Sequence, residues 1–166
     1  MQVREHLGFT MTIPVLDSAA QPRNNRVRAT APNQTNVLSV STESEDHTVL
    51  RRILDGQPFQ ISTAMSCQEA VEYLCHDRAS VIFCDHSVKD GTWRDLLNRV
   101  SSAAEPPMVV VTSRLADEYL WAEVLKLGGW DVLAKPFRAQ EVLRVLDSAR
   151  IHKANPVTRA RVAGAA

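Results

Sequence analysis

A doubly wound α/β fold with a five-stranded parallel sheet is what the sequence predicts, and three observations carry that expectation. Between residues 36 and 152, short apolar runs alternate with amphipathic stretches to give five β/α units. Runs such as Val81–Cys84 and Met108–Thr112 are apolar at nearly every position, as strands covered on both faces require. The stretches between them carry apolar residues at helical spacing, so the crossovers are helices, expected to be right-handed.

Each element can be justified in turn. Val37–Val40 reads as a buried first strand, followed by a helix whose Val49, Leu50, Ile53 and Leu54 share one face and which Gly56 and Pro58 stop. Phe59, Ile61 and Thr63 alternate with Gln60 and Ser62 as a half-exposed second strand. Ser66 and Glu69 then have the spacing of a capping box for a helix carrying Ala70, Val71, Tyr73 and Leu74. The third strand, Val81–Cys84, ends in Asp85; a loop containing Asp90-Gly91 leads to a helix with Leu96, Leu97 and Val100 inward. Pro106-Pro107 precedes the fourth strand. The next helix carries Tyr119, Leu120, Val124 and Leu127 and is expected to end on Gly128-Gly129 in a left-handed cap. Trp130–Ala134 supplies the fifth strand, and Val142, Leu143, Val145, Leu146 and Ala149 give the last helix its apolar stripe.

Length and charge narrow the function classes. A chain of 166 residues holds one ordinary domain with extensions, here 1–35, 36–152 and 153–166. The net charge of zero conceals about +2 in the first segment, +3 in the last and therefore −5 in the middle. A mildly acidic domain without a basic face or binding motif is no nucleic-acid reader. No apolar run reaches the roughly 18–20 residues that cross a bilayer, and the first residues lack a leader pattern, so a cytoplasmic location is expected. Cys67, Cys75 and Cys84 have no CxxC spacing and read as structural thiols. No Gly-rich phosphate loop follows the first strand, which argues against a dinucleotide or P-loop enzyme.

In a parallel sheet of this type the site forms outside the carboxyl ends of the strands, so Ser41-Thr42, Asp85, Thr112 and Lys135 are expected to converge. Val81-Ile82-Phe83-Cys84-Asp85, Val109-Val110-Val111-Thr112-Ser113 and Lys135-Pro136-Phe137, in that order and spacing, resemble the signatures of bacterial two-component response-regulator receiver domains. The resemblance covers about residues 36–152 and implies the flavodoxin-like (β/α)5 receiver fold. It also implies that Asp85 is the phosphoacceptor, Thr112 the switch hydroxyl, and Lys135 the ammonium that pairs with the carboxylate or its phosphate. Pro136 in such domains commonly follows a cis peptide bond, which aims the lysine inward.

Two departures stand out against that family. Receivers usually end the first strand in two acids that hold Mg²⁺; here the positions are Ser41 and Thr42. Asp85, the backbone carbonyl near Ser87 and Glu43, one position beyond the missing pair, are then the candidate metal ligands, and Mg²⁺ binding is expected to be weakened. The aromatic that often lies three positions before the lysine is Val132, with Trp130 nearby as a packing or partner-facing residue. His86, beside Asp85, reads as a solvated loop residue.

The expectation is a stand-alone receiver module in phosphorelay signalling, not an enzyme, taking phosphate from a histidine kinase or phosphotransfer protein. It would bind a protein partner, or a second copy, through the face of the fourth helix, fifth strand and fifth helix. The competing readings are a phosphorylation-independent interaction domain and a flavodoxin-like ligand-binding or enzyme domain, the latter wanting a phosphate or flavin loop.

Overall fold

The computed structural model describes residues 34–155, so the expectations for 1–33 and 156–166 lie outside the described residues. The elements run β1 (Thr35–Val40), α1 (Ser44–Leu54), β2 (Phe59–Ala64), α2 (Cys67–His76), β3 (Val81–Asp85), β4 (Ser87–Val88) and β5 (Gly91–Thr92). They continue with α3 (Trp93–Val100), β6 (Met108–Ser113), α4 (Glu118–Lys126), β7 (Asp131–Ala134) and α5 (Ala139–Ala154). Five strands form one all-parallel sheet in the order β2-β1-β3-β6-β7, as the alternation of runs predicts. The loop expected after Asp85 is instead a two-residue antiparallel ladder, β4 with β5.

Strand residues alternate between two cores because successive side chains leave a strand on opposite sides. Leu38, Val40, Ile82, Cys84, Val109 and Val111 face α2, α3 and α4, packing on Ala70, Trp93, Leu96 and Val124. Val37, Val81, Phe83 and Val110 face α1 and α5, packing on Leu50, Leu54, Val142 and Leu146. Trp130 joins this second core from just before β7, its ring centroid 4.8 Å from that of His152. Of the apolar residues assigned inward on the fourth helix, Leu120 and Val124 are buried, but Tyr119 and Leu127 are exposed. That helix has only nine residues, and its inward stripe is one residue wide per turn.

The amino end of α2 is satisfied by two loops at once. Ser66 Oγ accepts from Glu69 N–H, but Glu69 returns its bond to Met65 N–H, so the expected capping box closes one residue early. Asp90, from the turn between β4 and β5, accepts from Cys67 N–H at 2.7 Å and Gln68 N–H at 2.9 Å. These backbone bonds hold the Asp90 carboxyl below its usual range against the burial that would raise it.

Gly128 ends α4 in the left-handed region, φ +94°, as expected. Gly129 has a different reason to be glycine: a Cβ there would lie 2.5 Å from Val124 Cγ1 and 3.1 Å from its carbonyl oxygen. Gly129→Ala is therefore expected to cost about 1–3 kcal/mol through overpacking, measured as a shift in urea midpoint at unchanged slope.

Candidate functional site

The site lies where the carboxyl ends of β1, β3, β6 and β7 meet the first turn of α1. Asp85 ends β3 and is in register with Thr112 on the adjacent β6. Thr112 is buried, and its carbonyl accepts from His86 N–H at 2.9 Å, which ties the residue after Asp85 to the neighbouring strand. Lys135 follows β7; its N–H donates to Ser113 O, and the Lys135–Pro136 peptide is cis. The lysine side chain enters the cleft and is only 6% exposed. Its Nζ donates to Asp85 Oδ2 at 2.8 Å, while Asp85 Oδ1 accepts from His86 N–H at 2.8 Å.

A residue not singled out in the sequence completes this arrangement. Asp46, in the first turn of α1, is buried and accepts from the same Lys135 Nζ at 2.5 Å. Its Oδ2 also accepts from Ser41 Oγ at 2.7 Å, so the buried serine at the end of β1 orients a carboxylate supplied by the helix. Thr42, the other position of the absent acid pair, is exposed. Asp46 and His47 share the inward face of α1 with Leu50 and Leu54, and that spacing was the available signal.

His47 fixes α1 to β1. Its Nε2–H donates to the Ser41 carbonyl at 3.0 Å, and its Nδ1, the acceptor of the neutral ring, takes the Ser39 hydroxyl at 2.8 Å. Burial lowers the imidazole below its ordinary value, against the opposing pull of the Ser41 carbonyl and Asp46. For Lys135, burial alone would lower the ammonium too, yet its hydrogen bonds to Asp46 and Asp85 outweigh that and hold it above the ordinary lysine value. Cys84, deep in the first core, has its thiol pushed well up by burial and is no nucleophile at neutral pH.

The remaining sequence candidates lie around this cleft without joining the triad. Glu43 is gripped by Arg114, whose Nη2 donates to both carboxylate oxygens at 3.0 and 2.9 Å. Ser87 is exposed at the start of β4, its hydroxyl 3.1 Å from His86 Nδ1. Val132 is half-buried against the first core. A cavity of about 400 Å³ opens at the other end of the sheet, lined by Val71, Leu74, Arg78, Ser80, Val100 and Pro107, next to the amino ends of β3 and β6.

The model of the response regulator receiver domain family matches residues 30–147. The chain belongs to the response-regulator receiver family. It is 33% identical over 113 residues to the two-component response regulator ORR3 of Oryza sativa subsp. indica, a match covering 66% of this chain and 86% of that one. To ORR6 of Oryza sativa subsp. japonica it is 29% identical over 126 residues, 72% of this chain and 74% of that one. Among solved structures, the signal receiver domain of an HD domain-containing protein from Pseudomonas fluorescens superposes with a TM-score of 0.66 at 21% identity, covering 75% of this chain and 92% of that one. The chemotaxis response regulator CheY4 of Vibrio cholerae gives 0.64 at 19% identity, covering 70% and 98%.

As a receiver domain the chain is a signalling module of two-component systems, and the five-stranded sheet is the receiver fold the sequence implies. The motifs resemble bacterial receivers, whereas the curated relatives are plant proteins; the matches establish the family and not a branch of it. Among the described residues, no helix is long and apolar enough to cross a membrane.

Proposed function

We propose that Asp85 accepts a phosphoryl group from a histidine kinase or phosphotransfer protein, with Lys135 as its cationic partner and Thr112 as the hydroxyl beside it. In the transfer, an Asp85 carboxylate oxygen forms the new P–O bond as the P–N bond to the donor imidazole breaks, the imidazole keeping the electron pair. The observation that carries this reading is the 2.8 Å contact between a nearly enclosed lysine ammonium and a strand-end carboxylate in register with Thr112. An ammonium so placed offsets charge that builds on the phosphoryl oxygens.

Labelling is expected to be slow, because the divalent ion that usually offsets that charge lacks its acid pair at Ser41 and Thr42. Intact-mass measurement after exposure to acetyl phosphate is the test: partial, alkali-labile gain in the wild type and none in Asp85→Asn. Labelling that persists in Asp85→Asn rules out Asp85 as the acceptor. No labelling of the wild type after prolonged exposure favours a domain that works by protein contact alone.

The partner-binding surface in this reading is α4–β7–α5. Trp121 on α4 is half exposed and donates from Nε1 to Asp131 of β7 at 3.2 Å; Arg144 of α5 reaches the same carboxylate at 3.7 Å. Together with exposed Leu125 they form an aromatic and charged strip of the composition that protein interfaces favour. A cytoplasmic location belongs to the same proposal.

A further inference from the structure

The cleft contains two carboxylates and one ammonium, and all three are tied together. Lys135 Nζ touches Asp46 Oδ2 and Asp85 Oδ2 at once, with side-chain exposures of 6%, 11% and 15% respectively. Three of the side chains that end or follow β1 offer no free ligand here: Ser41 Oγ donates to Asp46, Glu43 is held by Arg114, and Thr42 is exposed. Among the described residues, no group of three or more His, Cys, Asp or Glu side chains is placed to hold a metal ion.

Mg²⁺ requires a near-octahedral shell of hard oxygens, and its usual anchors are carboxylates. In this cleft both carboxylates already converge on a single cation. A divalent ion between them would have to displace the ammonium, since two cations within a few ångströms repel strongly where water is scarce. Displacement is disfavoured because the lysine is nearly enclosed and, moved aside, would leave its charge buried without a partner. The donor set therefore does not fit the ion that the fold family implies.

We propose that Lys135 is the resident cation of this cleft: its ammonium fills the position between Asp46 and Asp85 that Mg²⁺ would need, and Asp46, not a strand-end acid, is its second anchor. The cleft is then closed to divalent ions as long as the lysine is charged and in place. Removing that charge while keeping the chain length uncovers a two-carboxylate site. The inference rests on the Asp85 cleft being the functional site, but it concerns cation binding and not phosphoryl transfer, so the two fail separately.

Titration calorimetry of the full chain with MgCl₂ tests it. Lys135→Met is expected to bind Mg²⁺ at least tenfold more tightly than wild type, Lys135→Arg to remain as weak as wild type, and Lys135→Met with Asp46→Asn to lose the gain. Wild type binding as tightly as Lys135→Met overturns the proposal, as does a gain that survives Asp46→Asn. A second measurement holds if Lys135→Met does not fold. The wild-type melting temperature is expected to be the same in millimolar MgCl₂ as in chelator at matched ionic strength, and a rise in MgCl₂, the mark of a native-state ligand, overturns the proposal. Loss of acetyl phosphate labelling in any of these proteins bears only on the transfer reaction.

Discussion

Lys135→Met is expected to destabilise the domain by about 3–5 kcal/mol at neutral pH, the range for breaking a buried ion pair by removing one partner. Methionine keeps most of the apolar stem, so the loss reports the charge. Asp46 and Asp85 would then face each other with no cation between them. On the alkaline side the sign follows from Lys135 itself. Its folded pKa is raised above the ordinary 10.5, so its contribution is whole below that value and is lost as pH climbs through the raised one. Urea melts of both proteins at neutrality and at strongly alkaline pH should give a difference that is larger at neutrality. A difference that is flat with pH would mean that packing of the stem, and not the ammonium, stabilises the fold.

A loss of similar size, about 3–5 kcal/mol, is expected for Trp93→Ala, because Trp93 is fully buried at the head of α3 against the first core. Trp93→Phe should cost far less than the alanine change. The indole Nε1 is buried with no acceptor, so phenylalanine removes an unsatisfied donor along with part of the ring, and the two effects oppose each other. Arg94, whose guanidinium carbon lies 4.9 Å from the Trp93 ring centroid, retains an aromatic face in the phenylalanine variant. Denaturation midpoints for the two variants settle the comparison. Equal losses would mean that the phenyl ring recovers none of the packing of the indole, and would overturn this account.

The fold was legible because its strands are buried on both faces. A run such as Val81-Ile82-Phe83-Cys84 has no other economical place than the middle of a parallel sheet, and β3 is its central strand. Asp85, Thr112 and Lys135 were legible for a related reason: each stands just where such a run stops, and strand ends on one side of the sheet must meet. Asp46 was not, because it sits on a helix and nothing in its immediate neighbours separates it from Glu43 and Glu45. Only the phase of α1, set by Leu50 and Leu54, turns Asp46 inward and leaves Glu45 in solvent. Tyr119 and Leu127 were misplaced for the converse reason: in a helix this short, apolar identity is a poor guide to the buried side. The clasp between Glu43 and Arg114 joins residues 71 apart, a pairing beyond the reach of local pattern.

The Asp90 carboxylate, which accepts from the first two N–H groups of α2, makes the loop beyond Asp85 and the start of that helix one unit of inheritance. Segment 86–92 cannot be exchanged for that of another receiver without regard to Cys67 and Gln68, whose backbone donors would lose their acceptor. A graft of the loop alone removes two helix-end bonds from α2 and frees the hairpin that shapes the chain after the aspartate. A graft of both segments keeps them. Receivers recombined in the laboratory from this scaffold should therefore tolerate crossovers within α5 more readily than any that separate α2 from the hairpin.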